Sequence, residues 1–352
     1  MRARSHSRRH VLKGSAALAA VYALPVQAAA PPATPVGPAL IETARKEGKL
    51  AFYSAFDLPL SEKLAKAFEA VYPGIAVRVE RSGAERIFQR IAQEQASRIF
   101  AADVACSTDA AHFVAWKRQG WLAPYVPEDV ARHFAAGAAD PDGLYATVCA
   151  SLSVIAYNTN LVKPEDAPKS FADLLEPKWR GRIVKAHPGY SGTIMTATFA
   201  LVQALGWLWF EKLAQQKVMQ VQSAGDPPKK LGLGERAVEA DGADAVLLGL
   251  KEQGQPIEPV HASEGTPLII SPGGVFASAP NPNAARLFLS FLCGPEGQRV
   301  FVENNRHSFH ALAKAKPGRT PLSAVKLLRS DPVAVEAQSA EIKARYTKLF
   351  GV

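Results

Sequence analysis

The sequence predicts an α/β protein of two lobes, each with a mixed, mainly parallel sheet and flanking helices. Three strand–loop–helix units follow one another between residues 50 and 116, and this repetition is typical of a parallel sheet. The mostly apolar run Ala146–Asn158 is too long for one ordinary strand, so we interpret it as a strand that crosses between the lobes. A second α/β unit then extends from about residue 159 to 265.

The first lobe begins with a short helix, predicted at Ile41–Glu47, and continues with three short strands. The strands are rich in apolar and β-branched residues and are predicted at Leu50–Tyr53, Ile75–Glu80 and Ala102–Ala105. Ligands of parallel sheets bind beyond the carboxyl ends of the strands. Polar and aromatic residues follow those ends here, and the candidate ligand-binding residues are Ser54, Phe56, Asp57, Ser82 and Thr108.

The chain returns to the first lobe through a second crossing, predicted at Thr266–Ile270 and Gly274–Ser278. One helix is predicted at Asn281–Gly297, and two more, Leu322–Leu328 and Val333–Leu349, close the protein. The first lobe is therefore assigned residues 31–150 and about 273–320. The second lobe is assigned residues 151–272 and the C-terminal segment, about 321–352.

The stretch from Arg182 to Leu205 carries the strongest site prediction. Its strand, Arg182–Ala186, is followed by a turn at Pro188-Gly189 and by a helix predicted from Thr193, with Ser191 at its N-cap. The first turn of a helix has free N–H groups and the positive end of the helix dipole, so it binds anions. We predict an anion site formed by His187, Tyr190, Ser191, Gly192 and Thr193, with Asp226 on a further loop of the second lobe.

The first thirty residues have the pattern of an export signal rather than of a folded segment. Ser7-Arg-Arg-His-Val-Leu-Lys13 is a twin-arginine pattern, with Val11 where phenylalanine is commonest. The apolar run Gly14–Val26, shorter than the roughly 20 residues of a membrane span, precedes the small residues Ala28–Ala30. We expect residues 1–30 to be cleaved, and the mature protein to be soluble and exported across a bacterial inner membrane.

The net charge of +9 falls to +4 without residues 1–30, which contain five basic and no acidic residues. No long basic block remains, so the mature chain lacks the charge pattern of a nucleic-acid-binding protein. The three cysteines, Cys106, Cys149 and Cys293, allow either one disulfide or three buried thiols. His307 and His310 have an i, i+3 spacing that suits a metal pair, but a solvated helix or loop is the preferred interpretation.

Several short stretches, in order along the chain, resemble the periplasmic substrate-binding proteins of ABC importers, in the cluster related to ferric-ion-binding proteins. They are Leu50–Ser54, Ala102–Val104, Gly120–Pro124, Ala156–Asn160, Phe171–Leu175, Trp179–Arg182, Ser191–Gly192 and Gly294–Gln298. Each stretch is weak alone, but the ordered set covers nearly the whole mature chain. The resemblance implies a type II periplasmic-binding-protein fold, in which two lobes joined by two crossing strands close on a ligand.

The resemblance also implies where a ferric relative would hold its metal, and the sequence departs at those positions. Ferric relatives typically have a histidine after the first strand, where Asp57 or a neighbour stands, and often a glutamate after the third, where Thr108 stands with Asp109 adjacent. Their adjacent tyrosine pair is replaced by Leu247-Leu-Gly-Leu250. Fe³⁺ requires anionic oxygen ligands. We therefore expect a small polar or anionic organic ligand, phosphorylated or carboxylated, and no metal.

The sequence thus predicts a soluble receptor that captures this ligand between its lobes and delivers it to an ABC permease and its ATPase. We expect a monomer with no cofactor, no enzymatic activity and no nucleic-acid partner. Two alternatives stay open. One is a ferric-ion-binding protein with a synergistic anion. The other is a serine hydrolase, since Gly189-Tyr-Ser-Gly-Thr193 nearly matches the G-x-S-x-G nucleophile motif around Ser191.

Overall fold

The computed structural model describes residues 30–135 and 137–352. The predicted export signal, residues 1–30, lies almost entirely outside the described residues. The described α-helices are α1 Pro38–Glu47, α2 Leu58–Val71, α3 Ala84–Ser97, α4 Ala110–Arg118, α5 Glu128–His133, α6 Gly192–Leu205, α7 Trp207–Gln215, α8 Asp226–Gly232, α9 Asp244–Glu252, α10 Pro282–Cys293, α11 Pro295–Glu303 and α12 Pro332–Phe350. The strands are β1 Lys49–Ser54, β2 Ala76–Arg81, β3 Val104–Cys106, β4 Ala146–Asn158, β5 Ile183–Ala186, β6 Met219–Val221, β7 Val238–Ala243, β8 Ile257–Val260, β9 Thr266–Val275 and β10 Leu327–Leu328.

One continuous sheet runs through both lobes in the order β2-β1-β3-β9-β4-β7-β5-β6, with β8 paired to β4 and β10 paired to β9. At one end β1 is parallel to β2 and β3, with Phe52 opposite Val79 and Val104. At the other end β5 is parallel to β6 and β7. The strands β4 and β9 join these two parallel sets and run antiparallel to their neighbours in them. The mixed, mainly parallel sheet predicted for each lobe is confirmed.

The strands β4 and β9 carry the chain between the lobes. The first half of β4, Ala146–Leu152, pairs with β9, and its second half pairs with β7 and β8. Every residue of β4 is buried, which explains why the run is apolar on both faces. The return crossing is one strand rather than the two segments predicted. Pro272 and Gly273 do not interrupt it, because β4 is irregular between Thr147 and Cys149 opposite them.

Each lobe has its own hydrophobic core. In the first lobe Phe52 lies among apolar side chains of β1, α2 and α10, with its ring 4.9 Å from the Phe288 ring. In the second lobe Trp179, Phe210 and Tyr346 are fully buried in a separate cluster. Because each lobe buries apolar surface by itself, the two can move as units about the crossing strands.

Two predicted helices are wrong. The helix expected over Asn281–Gly297 ends at Cys293 and a new helix starts at Pro295, because proline cannot donate the hydrogen bond that would continue the first. The helix expected over Leu322–Leu328 is a 3₁₀ turn followed by the short strand β10, which pairs with the start of β9. Pairing with another strand decides the structure there, and the local periodicity does not show it.

The C-terminal helix α12 contacts both lobes. Its Tyr346 is fully buried in the core of the second lobe. Its Glu336 pairs with Arg118 of α4 at 2.6 Å, and its Lys343 pairs with Glu85 of α3 at 2.9 Å, both in the first lobe. The helix therefore crosses the boundary between the lobes, beyond the second-lobe position predicted for it.

The three cysteines are free and buried, so the structure has the second of the two arrangements considered for them. Burial raises the pKa of the Cys149 thiol to about 12, which keeps it protonated at neutral pH. Among the described residues, no single helix has both the length and the apolar composition needed to cross a membrane. The helices α6 and α7 meet that criterion only together, as a pair bent by 109°.

Candidate functional site

The candidate site is the gap between the two lobes. It lies at the carboxyl ends of the parallel strands, where the fold places ligands. Its walls come from the segments that follow β1, β2 and β3 in the first lobe and β5, β6 and β7 in the second. In the arrangement described here the gap has a volume of about 50 Å³.

Helix N-termini from both lobes border this gap. The N-cap residues of five helices line it: Asp57 of α2, Gly83 of α3, Ser191 of α6, Gly225 of α8 and Ala243 of α9. Thr108, which also lines it, directly precedes the N-cap of α4. Within the described residues, the N-cap residues of α3, α8 and α9 make no side-chain capping hydrogen bond. The gap therefore collects the positive ends of several helix dipoles.

The α6 terminus has the cap that the sequence predicts. Ser191 has extended backbone angles, and its hydroxyl accepts a hydrogen bond from the Ile194 amide at 3.4 Å. Ser191 and Thr193 both line the gap, although only 7% and 5% of their surfaces, respectively, are exposed. Tyr190, at the same turn, is 44% exposed and borders the gap as well. The helix starts at Gly192, one residue before the predicted start.

Gly192, which the sequence predicts as a ligand-binding residue, also has a steric role that the sequence does not indicate. In the structure it lets the other lobe approach, because a Cβ here would lie 2.5 Å from Asp109 Cβ and 3.0 Å from Ala84 Cβ. Both neighbours belong to the first lobe, so Gly192 permits close contact between α6 and the starts of α3 and α4.

Two arginines that line the gap were not predicted from the sequence. Arg306 follows α11 and is 6% exposed. Its guanidinium donates to Asp57 Oδ2 at 3.1 Å and lies 5.7 Å from the centre of the Phe56 ring. Its Nε is buried and has no hydrogen-bond partner within residues 30–135 and 137–352. The Nε atoms of Arg236, Arg286 and Arg319 are in the same state, so it is the position of Arg306 in the gap that makes it a candidate ligand-binding residue.

Arg81 is the second cation. It ends β2, is exposed, and donates from Nε to the Phe56 carbonyl at 2.9 Å. Together Arg81 and Arg306 outnumber the single lining carboxylate, Asp57. Both oxygens of that carboxylate already have hydrogen-bond partners. Its Oδ1 caps α2 by accepting from the Leu60 amide at 3.0 Å, and its Oδ2 accepts from Arg306.

No local pattern in the sequence indicates Arg306. It lies in a polar stretch without periodicity, after Asn305, whose φ of 60° is in the left-handed region. This turn ends α11 and directs the chain back along the gap. Asn adopts such angles more readily than most residues. The Asn-Arg pair after a helix is therefore a weak indication of a turn at this position.

His187 was predicted to face an anion, and the structure gives both of its ring nitrogens other partners. Its Nδ1 accepts from the Gly189 amide at 2.8 Å, and its Nε2 lies 3.2 Å from the Thr347 hydroxyl. Burial, with the nearby Lys185 charge, lowers the pKa of His187 to about 4. The ring is therefore neutral at pH 7 and holds the turn before Ser191.

Three further candidates lie among the described residues without lining the gap. Ser54 is fully buried, with its hydroxyl 2.8 Å from that of Ser61. Ser82 donates its amide to the Ser54 carbonyl at 3.2 Å, beside the lining residue Gly83. Asp226 accepts from the Ser223 amide at 3.1 Å and so shapes the loop before α8. Their roles as ligand-binding residues remain predictions.

Phe56 borders the gap but belongs mainly to the core. Only 1% of its surface is exposed, and its ring meets Phe301 edge-on at 5.6 Å. Thr108 is 7% exposed and lies just beyond the end of β3, as predicted. The gap therefore brings together six of the predicted residues: Phe56, Asp57, Thr108, Tyr190, Ser191 and Thr193.

The segment Leu247–Leu250, predicted to replace a tyrosine pair, does not line the gap. Leu247 does not face the gap, because it is fully buried among Leu152, Ile257 and other apolar residues beside the crossing strands. Two residues just before this segment, Ala243 and Val246, do border the gap. Neither has an oxygen in its side chain, so this wall provides no ligand for a hard cation.

A buried ionic pair lies on β5 and β7, the strands that lead to the site from the second lobe. Lys185 Nζ is 2.6 Å from Asp241 Oδ2, and both side chains are inaccessible to solvent. Burial lowers the pKa of Lys185 and raises the pKa of Asp241. Burial, with the nearby Asp241 carboxyl, also raises the pKa of the Glu239 carboxyl well above its usual value, which favours its neutral form.

A family model described as bacterial extracellular solute-binding protein matches residues 49–304. That range includes both parallel sets of strands, both crossing strands and the helix termini of the gap. The chain belongs to this family. Its members are receptors rather than enzymes, which overturns the hydrolase alternative. The hydrogen bonds agree, since the Ser191 hydroxyl caps α6 and the His187 nitrogens contact Gly189 and Thr347.

The most similar proteins include receptors for different cargoes. Iron uptake protein A1 of Synechocystis sp. is 25% identical over 285 residues, covering 76% of this chain and 77% of the relative. The periplasmic binding protein AfuA from Actinobacillus pleuropneumoniae, with exogenous fructose-6-phosphate bound, superimposes with a TM-score of 0.79 at 25% identity, over 87% of this chain and 99% of that one. Iron-bound HitA from Pseudomonas aeruginosa superimposes with a TM-score of 0.73 at 23% identity, over 85% and 99%, and shows the fold alone. These similarities confirm the two-lobe periplasmic-binding-protein fold.

Proposed function

We propose that this solute-binding protein captures a small organic anion, phosphorylated or carboxylated, in the gap between its lobes and delivers it to an ABC permease. The observation that carries the proposal is the set of helix N-termini around the gap, together with the buried guanidinium of Arg306 that lines it. Amide groups and a guanidinium are all hydrogen-bond donors. An oxygen-rich anion satisfies them, whereas a cation does not.

The charges of the gap support the same ligand class. Arg81 and Arg306 line the gap together with one carboxylate, Asp57, which leaves one positive charge in excess before the helix dipoles are counted. Arg306 is held in place by Asp57 and by the Phe56 ring, so little side-chain freedom is lost when a ligand binds. A phosphate or carboxylate group would accept from Arg306 and from the Ser191–Thr193 terminus at once.

The size of the gap limits the ligand in the arrangement described here. A volume of about 50 Å³ leaves room for little more than the anionic group itself. A larger organic ligand requires the lobes to separate, which is the hinge motion typical of these receptors. AfuA has the same fold and is 25% identical to this chain, and its structure contains bound fructose-6-phosphate. This similarity favours a phosphorylated ligand over a carboxylated one.

Ferric ion with a synergistic anion is the second candidate, because several relatives are named for iron. Asp57 and Tyr190 are the lining residues with anionic or ionisable oxygens. Asp57 is engaged by Arg306 and by the cap of α2, which leaves the Tyr190 phenol alone. One tyrosinate is too few for a hard trivalent ion, so the organic anion is the better supported cargo.

The cellular setting follows from the same proposal. The twin-arginine pattern at Ser7–Lys13 would direct the folded chain to the periplasm, where cleavage of residues 1–30 releases it. There a monomeric receptor carries its ligand to the permease, and a cytoplasmic ATPase drives import.

A matched pair of arginine variants tests the site. A thermal-shift screen of sugar phosphates and carboxylates first selects a ligand, and calorimetry then compares Arg306→Gln with Arg299→Gln. Arg299 is on α11, seven positions before Arg306, and its side chain is 70% exposed. We expect Arg306→Gln to weaken binding at least tenfold and Arg299→Gln to leave it unchanged. Equal affinity in the two variants would refute the assignment of Arg306 to the ligand.

A further inference from the structure

A second cluster of ligating side chains lies away from the gap, in the first lobe. It consists of Asp129 and His133 of α5 with His310, and their ligand atoms all lie within 4.8 Å of one another. An i, i+4 spacing places Asp129 and His133 on one face of α5. The backbone fixes His310 beside them, because Phe134 and His310 form an antiparallel bridge and the Ala311 amide donates to the His133 carbonyl at 2.8 Å.

The distances suit one metal ion. His310 Nε2 is 3.3 Å from Asp129 Oδ1. Two ligands of a tetrahedral Zn²⁺ site, each about 2.0–2.1 Å from the ion, are separated by about 3.3 Å. The His133 and His310 rings are neighbours, with centroids 4.9 Å apart. An ion between the three side chains therefore needs only small side-chain movements to reach all of them.

Access and hydrogen bonding also suit an ion. His310 is 3% exposed, whereas Asp129 and His133 are only partly buried, so an ion can enter from solvent. His310 also borders a surface cavity of about 530 Å³. Within the described part of the chain, the His133 ring has no hydrogen-bond partner, and its nitrogens are available.

His310 must change its tautomer to bind through Nε2. Its Nδ1 accepts from the Leu312 amide at 3.2 Å, so without metal the proton is on Nε2 and is donated to Asp129. On metal binding this proton moves to Nδ1, and the Leu312 amide gives up its long hydrogen bond. Leu312 is 67% exposed in the turn after His310, so its backbone can turn towards water.

We propose that Asp129, His133 and His310 form a site for a divalent first-row transition ion, with Zn²⁺ as the best match. Two imidazoles and one carboxylate are ligands that such ions prefer. The site differs from the histidine pair considered in the sequence. His307 contacts Arg319 at 2.8 Å and is not part of the cluster.

The ion would link α5 to the segment that starts at Arg306 and continues through His310. Arg306 lines the ligand gap, so a metal four residues away would limit the movement of the segment that carries it. The metal itself lies outside the gap, and its binding does not depend on the proposed anion.

Calorimetry with ZnCl₂ tests the site on the mature, tag-free chain after removal of metal, with no anionic ligand added. We expect one saturable site per chain. His133→Ala and Asp129→Asn should each weaken Zn²⁺ binding at least tenfold. The matched control is His261→Ala, an exposed histidine of the second lobe, which should leave binding unchanged.

The absorption spectrum of the Co²⁺-loaded wild-type chain supplies a second readout that needs no variant. Intense visible bands, typical of four-coordinate Co²⁺, should appear at one equivalent and disappear on adding Zn²⁺. The proposal is overturned if no saturable Zn²⁺ site is found, or if His133→Ala binds as tightly as the wild type. Either result leaves the anion proposal untouched, because anion binding is measured separately.

Discussion

At the scale of single residues, His187 shows that a sequence pattern can predict the position of a side chain without predicting its contacts. Its place before the Ser191 turn was clear from the sequence, but its partners were not. Thr347 is 160 positions away, on the C-terminal helix, and no local spacing reveals that contact. The ring is a structural acceptor for Gly189, and its low pKa follows from burial beside Lys185.

His187 should make stability depend on pH on the acid side. Its pKa falls from 6.5 in the unfolded chain to about 4 in the folded one, so the folded state resists protonation. The stability it contributes is complete above pH 6.5 and is lost as pH falls towards 4. We expect His187→Asn, whose amide oxygen can still accept from Gly189, to flatten the decline of the melting temperature between pH 6.5 and 4.

Thr347→Val is the matched control for this titration, because it removes the Nε2 partner and keeps the histidine. It should retain most of the wild-type decline. If His187→Asn and wild type show the same decline, the acid sensitivity belongs to other groups.

At the scale of helices and strands, local rules predicted well wherever neighbours in sequence decide. The N-cap of α6, the crossing strand β4 and the short strands of the first lobe follow from capping residues and apolar runs. One failure was local, since Pro295 ends a helix that was predicted to continue through it, and the other came from a partner distant in sequence. The strand β10 forms only because Leu327 and Leu328 meet the start of β9, about sixty residues earlier.

The N-terminus of α6 is the element on which anion binding depends. We expect Ser191→Ala combined with Thr193→Val to remove the cap and one further hydroxyl from the gap. The free energy of unfolding should fall by about 1 kcal/mol, as for other lost caps. Ligand affinity should fall at least tenfold, as measured by calorimetry on the ligand that the screen selects.

The matched control is Asp331→Ala at the cap of α12, where Asp331 accepts from the Val333 amide at 3.1 Å. It should cost a similar free energy of unfolding and leave ligand affinity unchanged. A double variant whose affinity falls no more than that of Asp331→Ala would remove α6 from the binding site.

At the scale of the whole molecule, the sequence predicted two lobes from its two α/β units and from the long run Ala146–Asn158, interpreted as a strand that crosses between them. It did not predict how closely the lobes approach. Gly192 against Asp109 and Ala84, and α12 against both lobes, are contacts between distant segments. Arg306 entered the site in the same way, since it reaches Asp57 across 249 positions of sequence.

Gly192→Ala tests whether close approach of the lobes is needed for binding. Its Cβ would lie 2.5 Å from Asp109 Cβ in the other lobe, so the lobes must move apart to accept it. We expect affinity to fall at least tenfold, and the ligand-free chain to lose less than about 1 kcal/mol of stability, since alanine favours the helix. Small-angle scattering should show that the ligand no longer makes the variant as compact as the wild type.

Gly249→Ala, in α9, is the control for this change. No atom lies within 4 Å of its Cβ position, so affinity and ligand-induced compaction should stay as in the wild type. Full compaction of Gly192→Ala on binding would show that the contact with Asp109 is not part of the closed state.

The most direct test of the anion site is calorimetry of the mature chain with paired ligands, charged and neutral. Hexose phosphates are compared with the free hexoses, and small dicarboxylates with their diamides. The proposal predicts that a charged member binds at least a hundredfold more tightly than its neutral partner, with an affinity that falls as salt is raised. Neutral partners that bind as tightly as the anions, or a visible charge-transfer band with Fe³⁺ and no binding of any organic anion, would contradict it.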